Sequence, residues 1–111
     1  MDEPLTAPSH LKPATRTWWQ SVVSRWELEP HHVRLLTLAA ETWDRGQQAR
    51  ALLARDGLTT GSKSGGLRTH PAVRIEADCR VGFARLLREL DLDVAPPAES
   101  RRPPALRSIA R

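Results

Sequence analysis

The apolar residues of this chain recur every three or four positions in three separate runs, a spacing typical of amphipathic helices. The first run predicts a short helix over 15–27, and Pro13 prevents its extension towards the N-terminus. Periodic aromatic residues on a helix usually face a core, whereas Trp18 lies off this stripe and is expected at the surface or at a subunit contact. The stripe consists of Trp19, Val22, Val23 and Trp26.

The second run predicts a long helix that begins near Pro30, a residue favoured in the first helical turn, and ends at Gly57, which suits the position after a helix. Its apolar residues form two adjoining stripes, wider than one partner covers. One side is therefore predicted to pack within the chain and the other on a second copy, with small residues allowing close approach. The predicted oligomer interface is Leu35, Leu38, Ala39, Trp43, Gly46, Ala49 and Leu53.

The third run predicts a helix from His70–Pro71 to about Leu90. No segment alternates with the two-residue period of a strand. The sequence therefore predicts an all-α fold, with a short N-terminal helix followed by a long antiparallel helical hairpin.

An extended Gly/Ser-rich loop separates the two long helices, from Gly57 to Pro71. It is longer than the roughly 2 to 8 residues usual between bundle helices, and such loops are mostly functional or disordered. The loop contains Lys63, Arg68 and His70 but no acidic residue, so it predicts an anionic partner.

Proline content divides the chain into three parts. The helical domain is predicted over 14–93. An arm over 1–13 with three prolines and a basic tail over 94–111 with four prolines are both predicted to be disordered, because so few large apolar residues cannot offset the entropy of ordering.

The net charge is +4, and 15 of the 17 basic residues are arginine, whose planar fork suits phosphate. Many helical arginines are predicted to pair locally and to form solvated surface. Four such pairs are expected: Glu41 with Arg45, Arg74 with Asp78, Glu76 with Arg80 and Arg85 with Glu89.

The remaining basic residues collect in the loop and at both ends of the chain, without local acids. Phosphate contacts need little rigid geometry, so these residues are the predicted DNA-binding set, although a merely solubilising tail is an equal alternative. The set is Lys63, Arg68, Arg101, Arg102, Arg107 and Arg111, followed by Lys12 and Arg16.

No arrangement of residues predicts catalysis, a metal site or a cofactor. His31 and His32 are adjacent, so on a helix they point about 100° apart and cannot share a metal as an i, i+4 pair does. Cys79 lies on the apolar stripe of the third helix and is expected to be a buried hydrophobe. The Lys63–Ser64 pair resembles a phosphate-binding P-loop, but Ser62 replaces the required glycine and a helix precedes the loop.

A single cysteine excludes an intramolecular disulfide and indicates a reducing cytoplasm. No run of about 18 apolar residues occurs, so no membrane association is predicted.

The order of three features resembles that of the small terminase subunits of tailed bacteriophages. A helix begins after Leu28-Glu29-Pro30, a glycine-containing loop leads to His70-Pro71-Ala72, and a final Leu86-Leu87-Arg88-Glu89-Leu90 precedes an acidic turn. The resemblance covers roughly residues 18–95, within the group that has a Trp-bearing first helix. The chain departs from the family by having His31-His32 where an acidic residue is usual, and Leu90-Asp91-Leu92-Asp93 where Leu-Gly-Leu-(Ser/Thr)-Pro is usual.

The resemblance implies a non-catalytic factor of a tailed phage or a related mobile element. Such a factor assembles as a homo-oligomeric ring, binds double-stranded viral DNA and delivers it to the large terminase subunit, which carries the ATPase and nuclease, in the bacterial host cytoplasm.

Two other interpretations remain open. In a helix-turn-helix regulator, residues 27–30 would form the turn and the second helix would read DNA, although Leu35 and Leu36 fit poorly on a reading helix. A helical structural adaptor would need no DNA affinity.

Overall fold

The computed structural model describes residues 5–61 and 64–92. The described residues form three helices and two short strands in the order α1, α2, β1, β2, α3. They span Pro13–Arg25 (α1), Pro30–Asp56 (α2), Thr59–Gly61 (β1), Leu67–Thr69 (β2) and Pro71–Glu89 (α3).

The bounds of the two long helices agree with the predicted ones, because each is set by a local residue. Pro30 and Pro71 occupy first turns, and α2 ends where Gly57 takes a positive φ of 85°. Helix α1 begins and ends two residues before the predicted positions, since Pro13 itself starts the helix.

Helices α2 and α3 form the predicted antiparallel hairpin. Arg50 pairs with Glu76, and Gly46 lies so close to α3 that an added methyl group would be 3.1 Å from Cys79 Cβ. Because contacts at lower numbers in α2 go with higher numbers in α3, the two helices run in opposite directions.

The segment between the long helices contains a β-hairpin, which corrects the all-α prediction to a mostly helical fold with a two-stranded sheet. The strands are antiparallel, with Thr60 opposite Arg68. The His70 N–H donates to the Leu58 carbonyl at 2.8 Å and closes the base of the hairpin. Three-residue strands are too short for an alternating pattern to reveal them.

The core lies where α1 crosses α2. Trp19 and Leu36 are the largest fully buried side chains of the described residues, and the indole Nε1–H of Trp19 donates to Thr37 Oγ1 at 3.1 Å. Around them pack Leu11, Val22, Ala40 and Leu90.

The described part of the N-terminal arm is packed on the helices, unlike the disordered arm predicted over 1–13. Leu11 is 3% exposed within the core, and the Lys12 N–H donates to Asp44 Oδ2 at 2.9 Å. One well-placed leucine and side-chain acceptors on the helices supply contacts that the composition of the arm does not reveal. Residues 1–4 and the predicted tail over 94–111 lie outside the described residues.

Candidate nucleic-acid interface

The structure describes three of the eight predicted DNA-binding residues, and all three are exposed: Lys12, Arg16 and Arg68. Lys12 and Arg16 lie at the start of α1, where the Lys12 N–H donates to Asp44, whereas Arg68 lies on β2 beyond the end of α2 at Asp56. Twelve residues of α2 separate those two places, or about 18 Å along the helix. The other five predicted contacts lie outside the described residues: Lys63, Arg101, Arg102, Arg107 and Arg111.

Several helical arginines are neutralised by neighbouring carboxylates. The predicted pairs Arg74–Asp78 and Glu76–Arg80 are confirmed. Glu41 instead bonds His10, with 2.8 Å between Nε2 and Oε2. Across residues 5–61 and 64–92, neither Arg45 nor Arg85 makes an ion pair.

Among the helices of residues 5–61 and 64–92, only α1 contains no carboxylate. It carries Arg16 and Arg25 and follows Lys12, whereas α2 and α3 contain three acidic residues each. The start of α1 is therefore a positively charged part of the described surface that no acid on the same helix offsets.

Asp56 and His70 join the end of α2 to the start of α3 at the base of the β-hairpin. His70 is buried; its Nδ1 accepts from the Ala72 N–H at 3.0 Å, so Nε2 is free to donate to Asp56 Oδ2, also at 3.0 Å. Hydrogen bonds from Arg55 and then from His70 lower the pKa of Asp56. This contact ties the end of α2 to the start of α3, one residue after the strand that carries Arg68.

Acid is expected to destabilise the fold through Asp56 and Glu76. The pKa of Glu76 is also lowered, first by the hydrogen bond from Arg80. A carboxyl group whose pKa is lower in the folded state stabilises the fold above its unfolded pKa, about 4, and loses that contribution as pH falls through the folded value. The thermal midpoint, followed by circular dichroism, should therefore decrease as the pH is lowered below about 4. A double variant, Asp56→Asn with Glu76→Gln, should show a weaker dependence of the thermal midpoint on pH. An unchanged dependence would contradict this prediction.

The predicted oligomer-interface residues divide into buried and exposed sets. Ala39, Gly46 and Ala49 are buried within the chain, and the small size of Gly46 allows the close approach of Cys79 on α3. Leu38 is 48% exposed and Trp43 is 44% exposed. Leu35 and Leu53 are half-buried.

An apolar groove runs between the three helices. The Phe83 ring lies 5.1 Å from the Trp43 ring and 5.9 Å from the Trp18 ring, measured between centroids. Trp18 is half-buried by this contact, which its position off the α1 stripe did not reveal. The groove is lined by Ala14, Thr15, Trp18, Trp43, Phe83 and Leu87.

Within the described residues, no group of three or more His, Cys, Asp or Glu side chains is placed to hold a metal ion. His32 instead caps α2, since its Nδ1 accepts from the Glu29 N–H at 3.2 Å. Cys79 is half-buried against Gly46. No helix in 5–61 or 64–92 has the length and apolar character needed to cross a membrane.

The sequence matches the family described as phage terminase, small subunit, over residues 15–105, which is most of the chain. The chain belongs to this family. Comparison with curated proteins and with solved structures gives no significant match. Membership in the terminase small subunit family assigns a role in phage DNA packaging at the level of the family, whose members are generally non-catalytic.

Proposed function

We propose that this chain is the non-catalytic subunit that binds viral DNA for packaging in a tailed phage or a related mobile element. The family match over residues 15–105 is the observation that carries the proposal. The subunit recognises double-stranded DNA in the host cytoplasm and delivers it to the large terminase subunit, whose ATPase and nuclease do the chemistry.

The distribution of charge supports DNA as the ligand. Arg16 and Arg68 are exposed and make no ion pair with any described residue. Such cations release condensed counterions when they reach phosphate, which favours binding without a fixed geometry. The proposed contacts also include Lys12, Lys63, Arg101, Arg102, Arg107 and Arg111.

Assembly as a ring is part of the proposal. Exposed Leu38 and Trp43 are apolar surface that a neighbouring copy would cover, and Trp43 also lines the apolar groove. A ring repeats each weak cationic site in every subunit, so that overall affinity rises without new contacts.

The proposal is tested by the mass of the assembly and by its affinity for DNA. Native mass spectrometry of the full chain should show a closed assembly larger than a tetramer. Fluorescence anisotropy should show that this assembly binds a labelled duplex with an affinity that falls steeply with salt. A monomer or dimer would contradict the ring, and an absence of DNA binding at low salt would favour the structural adaptor.

The contribution of the tail is measured by changing its four arginines to glutamine. The slope of log K against log salt should become less steep by about 0.9 for each arginine that contacts phosphate. The control removes four exposed arginines from the long helices, at positions 34, 45, 85 and 88, and lowers the net charge equally. Equal slopes in the two variants would exclude the tail from DNA contact.

A further inference from the structure

A shallow, open cleft lies between the N-terminal arm and the outer side of α1. Its volume is about 390 Å³. A guanidinium group, an amide and two hydroxyl groups face it, and none of its lining residues is acidic. The lining residues are Thr6, Ala7, Pro13, Arg16, Thr17 and Gln20.

The arm is held as a wall of this cleft by hydrogen bonds to one side chain. Gln20 Oε1 accepts from the Ala7 N–H at 3.0 Å, and Gln20 Nε2 donates to the Leu5 carbonyl at 2.7 Å. Buried Leu11 anchors the end of the arm that leads into α1. The cleft therefore has two ordered walls before any ligand binds.

Several donors in the cleft are available to an anion. The Arg16 side chain forms neither a hydrogen bond nor an ion pair with residues 5–61 or 64–92, and the Thr6 hydroxyl is likewise unpaired there. Gln20 uses one N–H on the arm and keeps a second. The Thr17 hydroxyl donates to the Pro13 carbonyl at 3.1 Å and would have to rotate to contribute.

The carboxylates that the arm touches already have partners. Asp44 accepts from the Thr15 hydroxyl at 2.6 Å and from the Lys12 N–H, and Glu41 bonds His10. Both acids belong to α2, and neither lines the cleft. The guanidinium of Arg16 is thus the charged group of the cleft, and its positive charge favours an anionic ligand.

We propose that this cleft seats a backbone phosphate of duplex DNA, with Arg16 as its cationic donor and the arm as its second wall. The inference rests on the proposed DNA-binding function and assigns it a defined site. A guanidinium fork matches two phosphate oxygens, and the remaining hydroxyl and amide groups are typical phosphate contacts. One such contact fixes α1 relative to the duplex in every subunit.

The first test compares Arg16→Gln with Arg25→Gln in the full chain. Both arginines are exposed on α1, and both changes remove one charge, but Arg25 does not line the cleft. The Arg16 variant should bind a labelled duplex about tenfold more weakly, with a salt slope less steep by about 0.9 for each contacting copy. The Arg25 variant should bind within about twofold of the unchanged chain, since a distant exposed charge is largely screened.

The second test places a carboxylate at a cleft residue that does not hold the arm. Thr6→Glu should weaken DNA binding more than Gln48→Glu, an equal change of charge at an exposed position of α2. The size of the difference should shrink as salt is raised, because the repulsion between carboxylate and phosphate is screened. Thermal midpoints of all four variants identify any loss of folding.

The outcomes separate this inference from the proposed function. If the unchanged chain fails to bind duplex DNA, the proposed function fails and the inference with it. If the chain binds DNA but the Arg16 and Arg25 variants lose affinity equally, the cleft is not a DNA site and the function stands. Stabilisation of the unchanged chain by inorganic phosphate, without any effect of the Arg16 variant on DNA affinity, would indicate a site for the free ion and overturn the inference.

Discussion

Replacing Trp19 by alanine is expected to lower the free energy of unfolding by about 4 kcal/mol, the largest effect of a single substitution in this chain. The side chain is 2% exposed and fills the space between α1 and α2. Its removal leaves a cavity where α1 crosses α2. Since small domains are stable by only about 5 to 15 kcal/mol, urea unfolding should show a much lower midpoint or no folded baseline.

Two further substitutions separate the causes of that loss. Trp43→Ala removes the same side chain from a site that is 44% exposed, so it should cost clearly less. Trp19→Phe keeps most of the packing but removes the Nε1–H that donates to Thr37, leaving a partly buried hydroxyl without its partner. The loss in free energy of unfolding for Trp19→Phe should lie between those for Trp19→Ala and Trp43→Ala. Equal losses for Trp19→Ala and Trp43→Ala would contradict the assigned core.

Replacing Gly46 by leucine is expected to destabilise the chain by about 3 kcal/mol through overpacking. A Cβ at this position would already lie 3.1 Å from Cys79 Cβ, so the larger side chain must push α3 away from α2. The loss of the α2–α3 contact should also loosen the β-hairpin, because α2 and α3 hold its two ends. Chemical unfolding measures the first effect and hydrogen exchange in the hairpin measures the second.

Alanine substitutions provide the matched control for Gly46. Changing a glycine within a helix to alanine stabilises the helix by roughly 1 kcal/mol when space permits. At Gly82 the new Cβ would meet Thr42 Cγ2 at 3.8 Å, an ordinary contact, so Gly82→Ala should stabilise the chain. Gly46→Ala should be the less stable of the two variants. The reverse order would show that the helices separate at Gly46 without cost.

The sequence by itself determined the helices and the family. Pro30, Pro71 and Gly57 act through local backbone geometry, so the two long helices begin and end where the sequence predicts. Apolar periodicity also identified Trp19 as a core residue, and the order of features along the chain sufficed for the resemblance that the family match confirms.

Only the tertiary structure decided which side chains face one another. The 3.6-residue period places Gly46 on an apolar stripe but does not say whether α3 or another copy covers it, and Cys79 of α3 lies against it. The β-hairpin depends on pairing across the chain, and three-residue strands leave no periodic trace in sequence. The arm is ordered by contacts of Leu11 with the core and of the arm backbone with Gln20 and Asp44, all distant in sequence, so its composition alone indicated disorder. The cleft around Arg16 exists for the same reason, because its two walls meet only when the chain is folded.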